Sequence, residues 1–394
     1  MPDSQRPTFR QLERENRKLL RNIRNHAFNR HNPIGRSAFQ SACNRFLTSK
    51  AARTLALAEA RKVRANERDV QTIYGRLNTI RCWQDVILDG SRRVDWHYKT
   101  KRSGGFRRVC SLSNDLAMWN YLARQIILQV YQPRQHVAHW PGRGRDRQIR
   151  AMRASCLSRE IFAVLTDVRS AYQHVDPDAL YQLLDLPGAL IRGALDARFN
   201  TYRYVGGRSL KGAIGMSNVS LGSTNTEPAP QGLLQGSPTS DLVFGLLMDD
   251  LPDHIPSNLG CFGYSDNVGV LSWSEQDALA VRANLVEYFS RHPAGPFVLR
   301  TEVVPLSGMG FDYLGYWFRW NGDRLSVRMS TGNEHRFMRS LECPDEFNLS
   351  GFQYVRRSFS ACTDDALDDY ANRASDATVR RLLRANRAPA SQAA

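Results

Sequence analysis

The chain has 394 residues, of which 42% are hydrophobic and 10% aromatic, so it can bury a sizeable core. This composition excludes an intrinsically disordered chain, and no apolar run reaches the roughly 20 residues that a membrane helix needs. The formal net charge of +16 and the pI of about 9.9 favour a nucleic-acid partner.

The first ninety residues are predicted to form basic helices. Apolar residues recur at helical spacing among many Arg in RQLERENRKLLRNIRNHAF and in LTSKAARTLALAEARKVRANERDVQTIYGRL. Only 6 of the 54 basic residues are Lys, and the other 48 are Arg. A GC-rich genome would explain this preference for Arg over Lys, but it would not explain the excess of positive over negative charge. Such helices either present a solvated charged face or grip RNA or DNA, and the sequence alone leaves both open.

A β-hairpin is predicted next, because a Gly-Gly pair separates two strand-like runs in WHYKTKRSGGFRRVCSL. The following run, LAMWNYLARQIILQVY, predicts a helix with Met118, Leu122, Ile126 and Val130 on one face. After the basic, Gly-rich turn HWPGRGRDRQI, the continuous apolar run IFAVLT predicts a buried strand.

The second half alternates loops, strands and helices. A stretch rich in Gly, Ser, Thr and Asn between Tyr202 and Pro230 predicts a loop or hairpin. SDLVFGLLMDDL predicts a helix, CFGYSDNVGVL two short strands around a tight turn, and FDYLGYWFRW a further strand. The last seventy residues are predicted to be helical and basic.

Two acidic positions follow from these elements. The predicted buried strand ends in Asp167, and the second hairpin places Asp266 and Asn267 at its tip. Strands lying side by side would bring Asp167 and Asp266 together, where their oxygens could bind divalent ions that clamp the attacking and leaving oxygens of a phosphoryl transfer. Asp-Asn alone is a common turn dipeptide, so the inference depends on the order and spacing of the elements.

From about residue 97 to 320 the sequence resembles the reverse transcriptases. DVRSAY resembles their motif A, QGSPTSDLVFGLLMDDL resembles motif B of the retron-type enzymes, and YSDN resembles motif C, Tyr-x-Asp-Asp. YLGYWF resembles the Leu-Gly-aromatic strand that follows motif C. Before motif A, KRSGGFRRV resembles the fingers motif Lys-x-Gly-Gly-x-Arg. Between these two motifs, HVAHWPGRGRDRQI resembles the family's block that ends in Gly-Arg-Ser. The blocks stand in the family's order, which makes chance similarity an unsatisfactory explanation.

The resemblance implies an α+β protein with the right-hand polymerase fold: fingers, a palm with an antiparallel sheet, and a helical thumb. The implied subdomains are a basic helical N-terminal extension at 1–90, fingers at 91–160, a palm at 161–320 with a fingers insertion at about 176–228, and a helical thumb and tail at 321–394.

The resemblance also implies roles for single residues. Asp167 and Asp266 would hold two Mg²⁺ ions, for which Mn²⁺ can substitute, with Asn267 at the third acidic position. Lys101 and Arg107 would contact the triphosphate, as expected of cationic donors near phosphate.

The nucleotide pocket is implied by motifs A and B. Tyr172 would lie under the sugar of the incoming nucleotide, where its ring would clash with a 2′-OH and so favour dNTPs. Gln235 and Gly236 would line the pocket, since glycine allows close approach. A second pair, Gln231 and Gly232, precedes them; we assign the later pair because its spacing to Pro-Thr-Ser and the helix matches the family.

Three features depart from the family. Asn267 replaces an Asp, which lowers the negative charge of the acidic group and should weaken metal affinity. No Lys follows Lys211, so the family's proton-donating Lys is missing; Arg300 and His292 lie in that region, but Arg rarely gives up its proton. Asp241 replaces the Pro after Pro-Thr-Ser, and we expect it to cap the following helix.

Cysteine and histidine patterns argue against a structural metal site. The 7 cysteines lack C-x-x-C spacing, so we expect reduced, mostly buried thiols. His136 and His139 flank Trp140 without further ligands at metal spacing, and we expect them to pack or to contact nucleic acid. The start of the chain has no apolar segment typical of a secretory signal, so we expect a cytoplasmic protein without membrane contact.

The function implied by the resemblance is an RNA-directed DNA polymerase that uses two-metal nucleotidyl transfer. Its partners would be an RNA template or noncoding RNA, the DNA product and dNTPs, and its oligomeric state is open. No maturase, HNH endonuclease or ribonuclease H sequence is recognisable, which favours a stand-alone enzyme of the retron-like or phage-defence kind over group II intron enzymes. Asn267 and the missing motif D Lys favour the phage-defence lineages over true retrons. Two alternatives stay open: a weak or inactive RNA-binding module with the same scaffold, and template-independent DNA synthesis.

Overall fold

The computed structural model describes residues 6–63, 67–89, 92–100, 106–158, 160–205, 231–321, 324–342 and 359–387. Helices and sheets are mixed within these residues, so the predicted α+β class is confirmed. The chain divides into two compact units. Unit 1 contains Met1–Arg134, Ser170–Met248 and Phe289–Phe297, and unit 2 contains Gln135–Arg169, Asp249–Tyr288 and Val298–Ala394.

Unit 1 is mainly helical. Its helices are α1 (Phe9–Ala27), α2 (Pro33–Thr48), α3 (Lys50–Ala60), α4 (Glu67–Arg76), α5 (Trp83–Asp89), α6 (Asn114–Val130), α8 (Pro177–Leu183), α9 (Gly188–Leu190) and α10 (Ser240–Leu247), with single turns at Ala171–His174, Ile191–Leu195 and Ala197–Phe199. N-capping residues explain where two of these helices begin. Thr8 and Gln11 form a capping box at the start of α1, and Asn32 is the N-cap of α2, just before Pro33.

The sheet of unit 1 has three strands in the order β2–β1–β4. These are β1 (Arg93–Thr100), β2 (Phe106–Leu112) and β4 (Thr201–Tyr204). The antiparallel pair β1–β2 confirms the first predicted hairpin. All four apolar residues predicted on one face of α6 are buried, which confirms that helix and its orientation. The predicted loop between Tyr202 and Pro230 falls largely outside the described residues.

Unit 2 contains two antiparallel sheets. One has the order β5–β6–β3–β7 and the other β10–β9–β8. The strands are β3 (Phe162–Val168), β5 (Cys261–Tyr264), β6 (Asn267–Ser272), β7 (Leu299–Pro305), β8 (Phe311–Tyr313), β9 (Tyr316–Asn321) and β10 (Arg324–Met329), and the helices are α7 (Arg145–Ser155), most of α11 (Glu275–Arg291), α12 (Thr331–Glu342) and α13 (Asp364–Arg387), with one short turn at Leu251–His254. A shared core joins these elements through Met152, Leu165, Phe318, Phe337 and Tyr370.

The structure corrects two predictions in unit 2. The predicted single strand FDYLGYWFRW is two strands, because Leu314 and Gly315 have φ of 53° and 84° and so form a turn. The strand Arg324–Met329 lies in a range for which only helices are predicted; it pairs with β9 and buries Val327 and Met329. The predicted subdomain boundaries stay a prediction.

Cysteine burial and helix composition agree with the sequence. Of the six described cysteines, all free thiols, Cys43, Cys110, Cys156 and Cys362 are buried, which confirms mostly buried thiols. Burial raises the pKa of the Cys43 thiol to about 12. None of the described helices combines the length and the apolar composition that crossing a bilayer requires.

Candidate active site

The register of the unit 2 sheet brings the predicted acidic residues together. β3 and β6 run antiparallel, and Asp167 is paired directly with Asn267. Side chains of directly opposed residues point to the same face with Cβ atoms about 5 Å apart. Asp167 is exposed, whereas the four residues before it are buried, so the carboxylate stands where the strand leaves the core. The predicted adjacency of the two segments is present in the structure.

The tip of the second hairpin is tied to the end of β3. Ser265 and Asp266 form the two-residue turn between β5 and β6, and Ser265 adopts a left-handed φ of 59°, which is uncommon for a residue with a side chain. The Val168 N–H donates to the Asp266 carbonyl oxygen at 2.9 Å. The Asn267 amide Nδ2 donates to Asp266 Oδ1 at 2.9 Å. These bonds hold Asp266 beside the end of β3 and orient its carboxylate.

Four side-chain positions form a row across this sheet. Tyr264 pairs with Asn267, Asn267 with Asp167, and Asp167 with Arg300 on β7. Asp167 therefore lies between a neutral amide and an exposed Arg. The sequence places Arg300 only in a general region, because the pairing partner of β7 cannot be read from the chain. Arg300 supplies positive charge beside the acidic position.

The segment that carries the two predicted histidines packs on β5. A Cβ on Gly263 would lie 2.8 Å from the His136 carbonyl oxygen, so only glycine allows this approach. His136 is buried, and the His139 ring lies 4.1 Å from the Tyr264 ring, centroid to centroid. Both histidines thus support the hairpin that carries Asp266, in agreement with the packing role expected for them.

The donor set fits a hard divalent cation. Asp167 and Asp266 offer carboxylate oxygens from neighbouring segments, which is the ligand type that Mg²⁺ prefers. Asn267 offers a neutral amide, whose Nδ2 donates to Asp266 Oδ1 and whose single carbonyl oxygen is a weaker magnesium ligand than a carboxylate. No group of three His, Cys, Asp or Glu side chains suited to a metal occurs among the described residues. The site therefore offers two carboxylates.

The Tyr of motif A is held within unit 1. Tyr172 is 7% exposed, its ring centroid lies 5.6 Å from that of Phe244, and its hydroxyl donates to the Asp241 carboxylate. The prediction that Asp241 caps α10 is wrong, because Thr239 is the N-cap and Asp241 lies in the first turn. Asp241 instead fixes the orientation of the Tyr172 side chain, a contact that no local pattern reveals.

Both Gln-Gly pairs are in close backbone contact. The Gln235 carbonyl accepts from the Cys110 N–H at 3.0 Å, and Gly236, at φ 105°, would place a Cβ 2.6 Å from the Cys110 carbonyl oxygen. A Cβ on Gly232 would lie 2.0 Å from the Tyr172 carbonyl oxygen. The later pair therefore packs on β2 and the earlier pair on the backbone of Tyr172. Their assignment to a nucleotide pocket stays a prediction.

A buried polar network holds the motif B loop. The Ser237 and Thr239 hydroxyls each donate to Asn120 Oδ1 at 2.7 Å, and the Asn120 amide donates to the Leu116 carbonyl at 2.9 Å. Asn120 is 1% exposed, so its polar atoms need these partners. The network fixes the loop to α6, and the sequence reading of α6 by its apolar face gave no sign of it.

Three further residues named from the sequence are Lys101, Arg107 and His292, and each has a different environment. Lys101 lies outside the described residues. Arg107 is exposed on β2, opposite Lys99 in the register. His292 is buried, its Nε2 lies 2.9 Å from the Leu247 carbonyl oxygen and its Nδ1 accepts from the Ala294 N–H at 3.0 Å. Because both ring nitrogens have backbone partners, His292 is a structural residue of unit 1 rather than a proton donor.

No protein-family model and no curated protein matches the sequence. Among solved structures, the chain is similar to apo telomerase from Candida tropicalis truncated from the C-terminal domain, with 11% identity and a TM-score of 0.36 over 59% of this chain and 54% of that chain. It is also similar to telomerase from Candida albicans in complex with a TWJ fragment of telomeric RNA, with 12% identity and a TM-score of 0.44 over 75% of this chain and 55% of that chain. The chain spans about half the length of either telomerase, and likeness at this level assigns neither an activity nor a partner.

Proposed function

We propose that the chain is an RNA-directed DNA polymerase that works by two-metal nucleotidyl transfer. The observation that carries the proposal is the register of β3 and β6, which pairs Asp167 with Asn267 beside the tethered turn of Asp266. Two carboxylates from distant parts of the chain therefore lie at the same end of neighbouring strands, the arrangement that two-metal phosphoryl transfer uses. The order of the sequence motifs supports the same reading.

Each residue in this proposal has one task. Asp167 and Asp266 would hold magnesium, which, when bound, stabilises charge on the attacking and leaving oxygens. Arg300, opposite Asp167, would attract the phosphate chain of the nucleotide. Tyr172, held by Asp241, would exclude a 2′-OH and so select dNTPs. The primer hydroxyl oxygen would bond to the α-phosphorus, pyrophosphate would leave, and the hydroxyl proton would pass to water.

A second function is favoured by one observation. The Asn267 amide donates to Asp266, so the centre offers one carboxylate fewer than the family's and one oxygen of Asp266 already accepts a hydrogen bond. A scaffold with weakened metal binding could act as an RNA-binding module without polymerising. The +16 charge serves such a module as well as it serves an enzyme.

The finer proposal is a prokaryotic enzyme of phage defence. The phage-defence assignment is supported by Asn267 in the segment that resembles motif C and by the absence of a Lys after Lys211. A cell-based test compares plaque formation on hosts expressing the wild type or Asp266→Ala. Protection that depends on Asp266 supports the proposal, and equal plaque numbers contradict it.

The decisive experiment is incorporation of labelled dNTPs by the purified chain with its co-purifying RNA retained, in Mg²⁺ and separately in Mn²⁺. Asp266→Ala and Asp167→Ala are compared with Asp368→Ala, which removes an exposed carboxylate of α13 in the same unit. We expect a loss of at least 100-fold in the first two variants, because removing a metal ligand removes charge stabilisation in the transition state. We expect no loss in the control.

Each outcome separates the candidate functions. Loss of incorporation after ribonuclease treatment, with recovery on adding RNA, supports templated synthesis; undiminished incorporation supports template-independent synthesis. No incorporation in either metal, with RNA still bound, contradicts the polymerase and supports the binding module. Asn267→Asp should raise incorporation in Mg²⁺ if the missing carboxylate limits the rate.

A further inference from the structure

Helix α1 carries a line of arginines. Arg10, Arg14, Arg17, Arg21 and Arg24 follow one another at steps of four, three, four and three residues. At about 100° per residue these steps keep all five within an arc of about 80°. Over 14 residues the line is about 21 Å long at 1.5 Å per residue. We call these five residues the arginine stripe.

The arginine stripe faces away from the core. Of the buried residues of α1, Leu12 and Ile23 lie about 140–160° around the helix from the centre of the stripe and Ala27 about 100°, whereas all five arginines are exposed. The helix buries its apolar side against its own unit, so that side is not available to insert into a lipid surface, as a membrane-bound amphipathic helix would.

The guanidinium groups have few protein partners. Arg17 makes a long pair with Glu13 at 3.8 Å, and Arg24 Nε donates to Gln129 Oε1 at 2.9 Å. Among the described residues, the side chains of Arg10, Arg14 and Arg21 form no ion pair or hydrogen bond. Their forked donors are therefore available to an external anion.

An exposed aromatic ring ends the stripe. Phe28 is the C-cap of α1 with helical φ and ψ of −63° and −38°, and it is 88% exposed. It lies eighteen residues after Arg10, which is about five full helical turns, so it continues the same line. An aromatic ring this exposed buries little of its apolar surface within the chain.

We propose that the arginine stripe and Phe28 bind a single strand of RNA, with phosphates on the arginines and one unpaired base stacked on the Phe28 ring. Surfaces for single strands combine positive charge that tracks the backbone with aromatic rings that stack bases. The phosphates of a duplex could contact the arginines, but its bases are already stacked on one another and would not stack on the Phe28 ring. The five positive charges match the phosphate chain in sign, and the linear form matches an extended strand.

This surface does not depend on the proposed polymerase activity. RNA binding is measured without dNTPs or metal, whereas polymerase activity is measured by dNTP incorporation. The two assays therefore distinguish a chain that binds RNA through the stripe but does not polymerise from one that polymerises without the stripe. The surface belongs to unit 1, whereas the two carboxylates belong to unit 2.

The test uses the full chain, freed of co-purified nucleic acid, and a labelled single-stranded RNA of about 15 nucleotides, within the range of known single-strand sites. Affinity is measured by fluorescence anisotropy across a salt series. One variant carries Arg10→Gln, Arg14→Gln and Arg21→Gln. Its control carries Arg45→Gln, Arg61→Gln and Arg76→Gln, three exposed arginines of the same unit with the same change in net charge; Arg45 and Arg76 lie in helices and Arg61 is the C-cap of α3.

The stripe variant should lose affinity about ten- to 100-fold at 0.1 M salt, and its salt slope should fall by about 2, because each single-strand phosphate contact contributes about 0.7. The control should keep its slope within about 0.5 of the wild type. Equal losses in both variants would show that only overall charge matters, and this result would overturn the proposal.

Phe28 gives an independent arm of the test. Phe28→Ala should lower affinity about tenfold with the salt slope unchanged, since stacking releases no counterions. Phe28→Leu, which keeps an apolar side chain without a ring face, should lose nearly as much. Unchanged affinity in Phe28→Ala, or equal binding of a blunt RNA duplex, would refute the single-strand assignment.

Two further arms identify the partner. A DNA strand of the same sequence should bind within a few-fold, because phosphate contact and stacking do not read the sugar; a large preference for DNA would contradict the RNA assignment. Binding of vesicles of anionic phospholipid that is lost in the stripe variant but kept in its control would assign the surface to a membrane and overturn the proposal. Circular dichroism of each variant checks folding, and we expect unchanged helix content because Gln and Arg have similar helix propensities.

Discussion

The hydrogen bond between the Tyr172 hydroxyl and Asp241 should stabilise unit 1 measurably. Hydrogen bonds to charged groups contribute about 1.5–3 kcal/mol. Tyr172→Phe keeps the ring against Phe244 and removes only the hydroxyl, and the half-buried Asp241 regains some water, so we expect a loss of about 1–2 kcal/mol. Asp241→Ala leaves a buried hydroxyl without this acceptor, and we expect a loss of about 1–3 kcal/mol.

A double-mutant cycle measures the pair directly. Urea unfolding of the wild type, Tyr172→Phe, Asp241→Ala and the double variant gives the coupling energy, which we expect to be about 1–2 kcal/mol. Tyr74→Phe is the matched control, because Tyr74 contacts Lys50 through its ring, 4.5 Å from the Lys50 Nζ, and should change stability by less than about 0.5 kcal/mol. A coupling below about 0.3 kcal/mol would refute the view that Asp241 fixes the ring.

The same variants separate the ring from its hydroxyl in substrate choice. If the ring of Tyr172 excludes the 2′-OH, Tyr172→Ala should admit rNTPs, whereas Tyr172→Phe should keep the preference for dNTPs within a few-fold. Competition between labelled dNTP and rNTP measures the ratio. Unchanged selectivity in Tyr172→Ala would remove the gate from the proposed function and leave the structural role of the pair intact.

Three other predictions concern the backbone and the buried thiols. Gly236→Ala should lower the free energy of unfolding by about 2–4 kcal/mol, through its φ of 105° and the contact with Cys110, whereas Gly308→Ala, with no atom within 4 Å, should not; thermal unfolding compares them. Ser265→Val should be about 1–2 kcal/mol less stable than Ser265→Gly in the same assay, because only glycine adopts φ 59° freely; equal stabilities would contradict strain at the turn. Burial raises the pKa of the Cys43 thiol from about 9 in the unfolded chain to about 12. The contribution of the neutral, buried thiol to the free energy of unfolding is therefore fully present below pH 9 and is lost as the pH rises towards 12. Between pH 9 and 11 the wild type should lose about 2 kcal/mol more than Cys43→Ala in urea unfolding, and parallel losses would refute this.

Periodicity predicted the elements that are fixed by their own residues. The apolar positions of α6 recur every three to four residues, and the run IFAVLT is apolar throughout, so burial on one face or on both follows from local pattern. The hairpins at β1–β2 and β5–β6 likewise carry their turns in the sequence. In these cases the local preference and the tertiary environment agree, which is why the pattern sufficed.

Other features depend on partners far along the chain. β10 reads as part of a basic helical region, and it becomes a strand because pairing with β9 buries Val327 and Met329. The contact between Tyr172 and Asp241 joins residues 69 apart. Arg300 reaches Asp167 only through the register of β7, which the sequence of β7 does not encode by itself.

Under the proposed function, the Asn at position 267, where the resembled motif has Asp, should affect stability as well as metal binding. An Asp at position 267 would stand directly opposite Asp167, and like charges paired across strands destabilise a sheet by roughly 0.2–1 kcal/mol. Asn267 removes that repulsion and donates a hydrogen bond to Asp266. Compared with Asp at this position, Asn267 should therefore stabilise the metal-free sheet, and under the proposed function it should also lower the affinity of the site for cations. Asn267→Asp should accordingly unfold at a lower temperature in chelator and gain more from added Mg²⁺ than the wild type does, because a ligand stabilises the state that binds it. If Asn267→Asp is less stable than the wild type by the same amount in chelator and in Mg²⁺, Asn267 stabilises the hairpin and the added carboxylate does not increase metal binding.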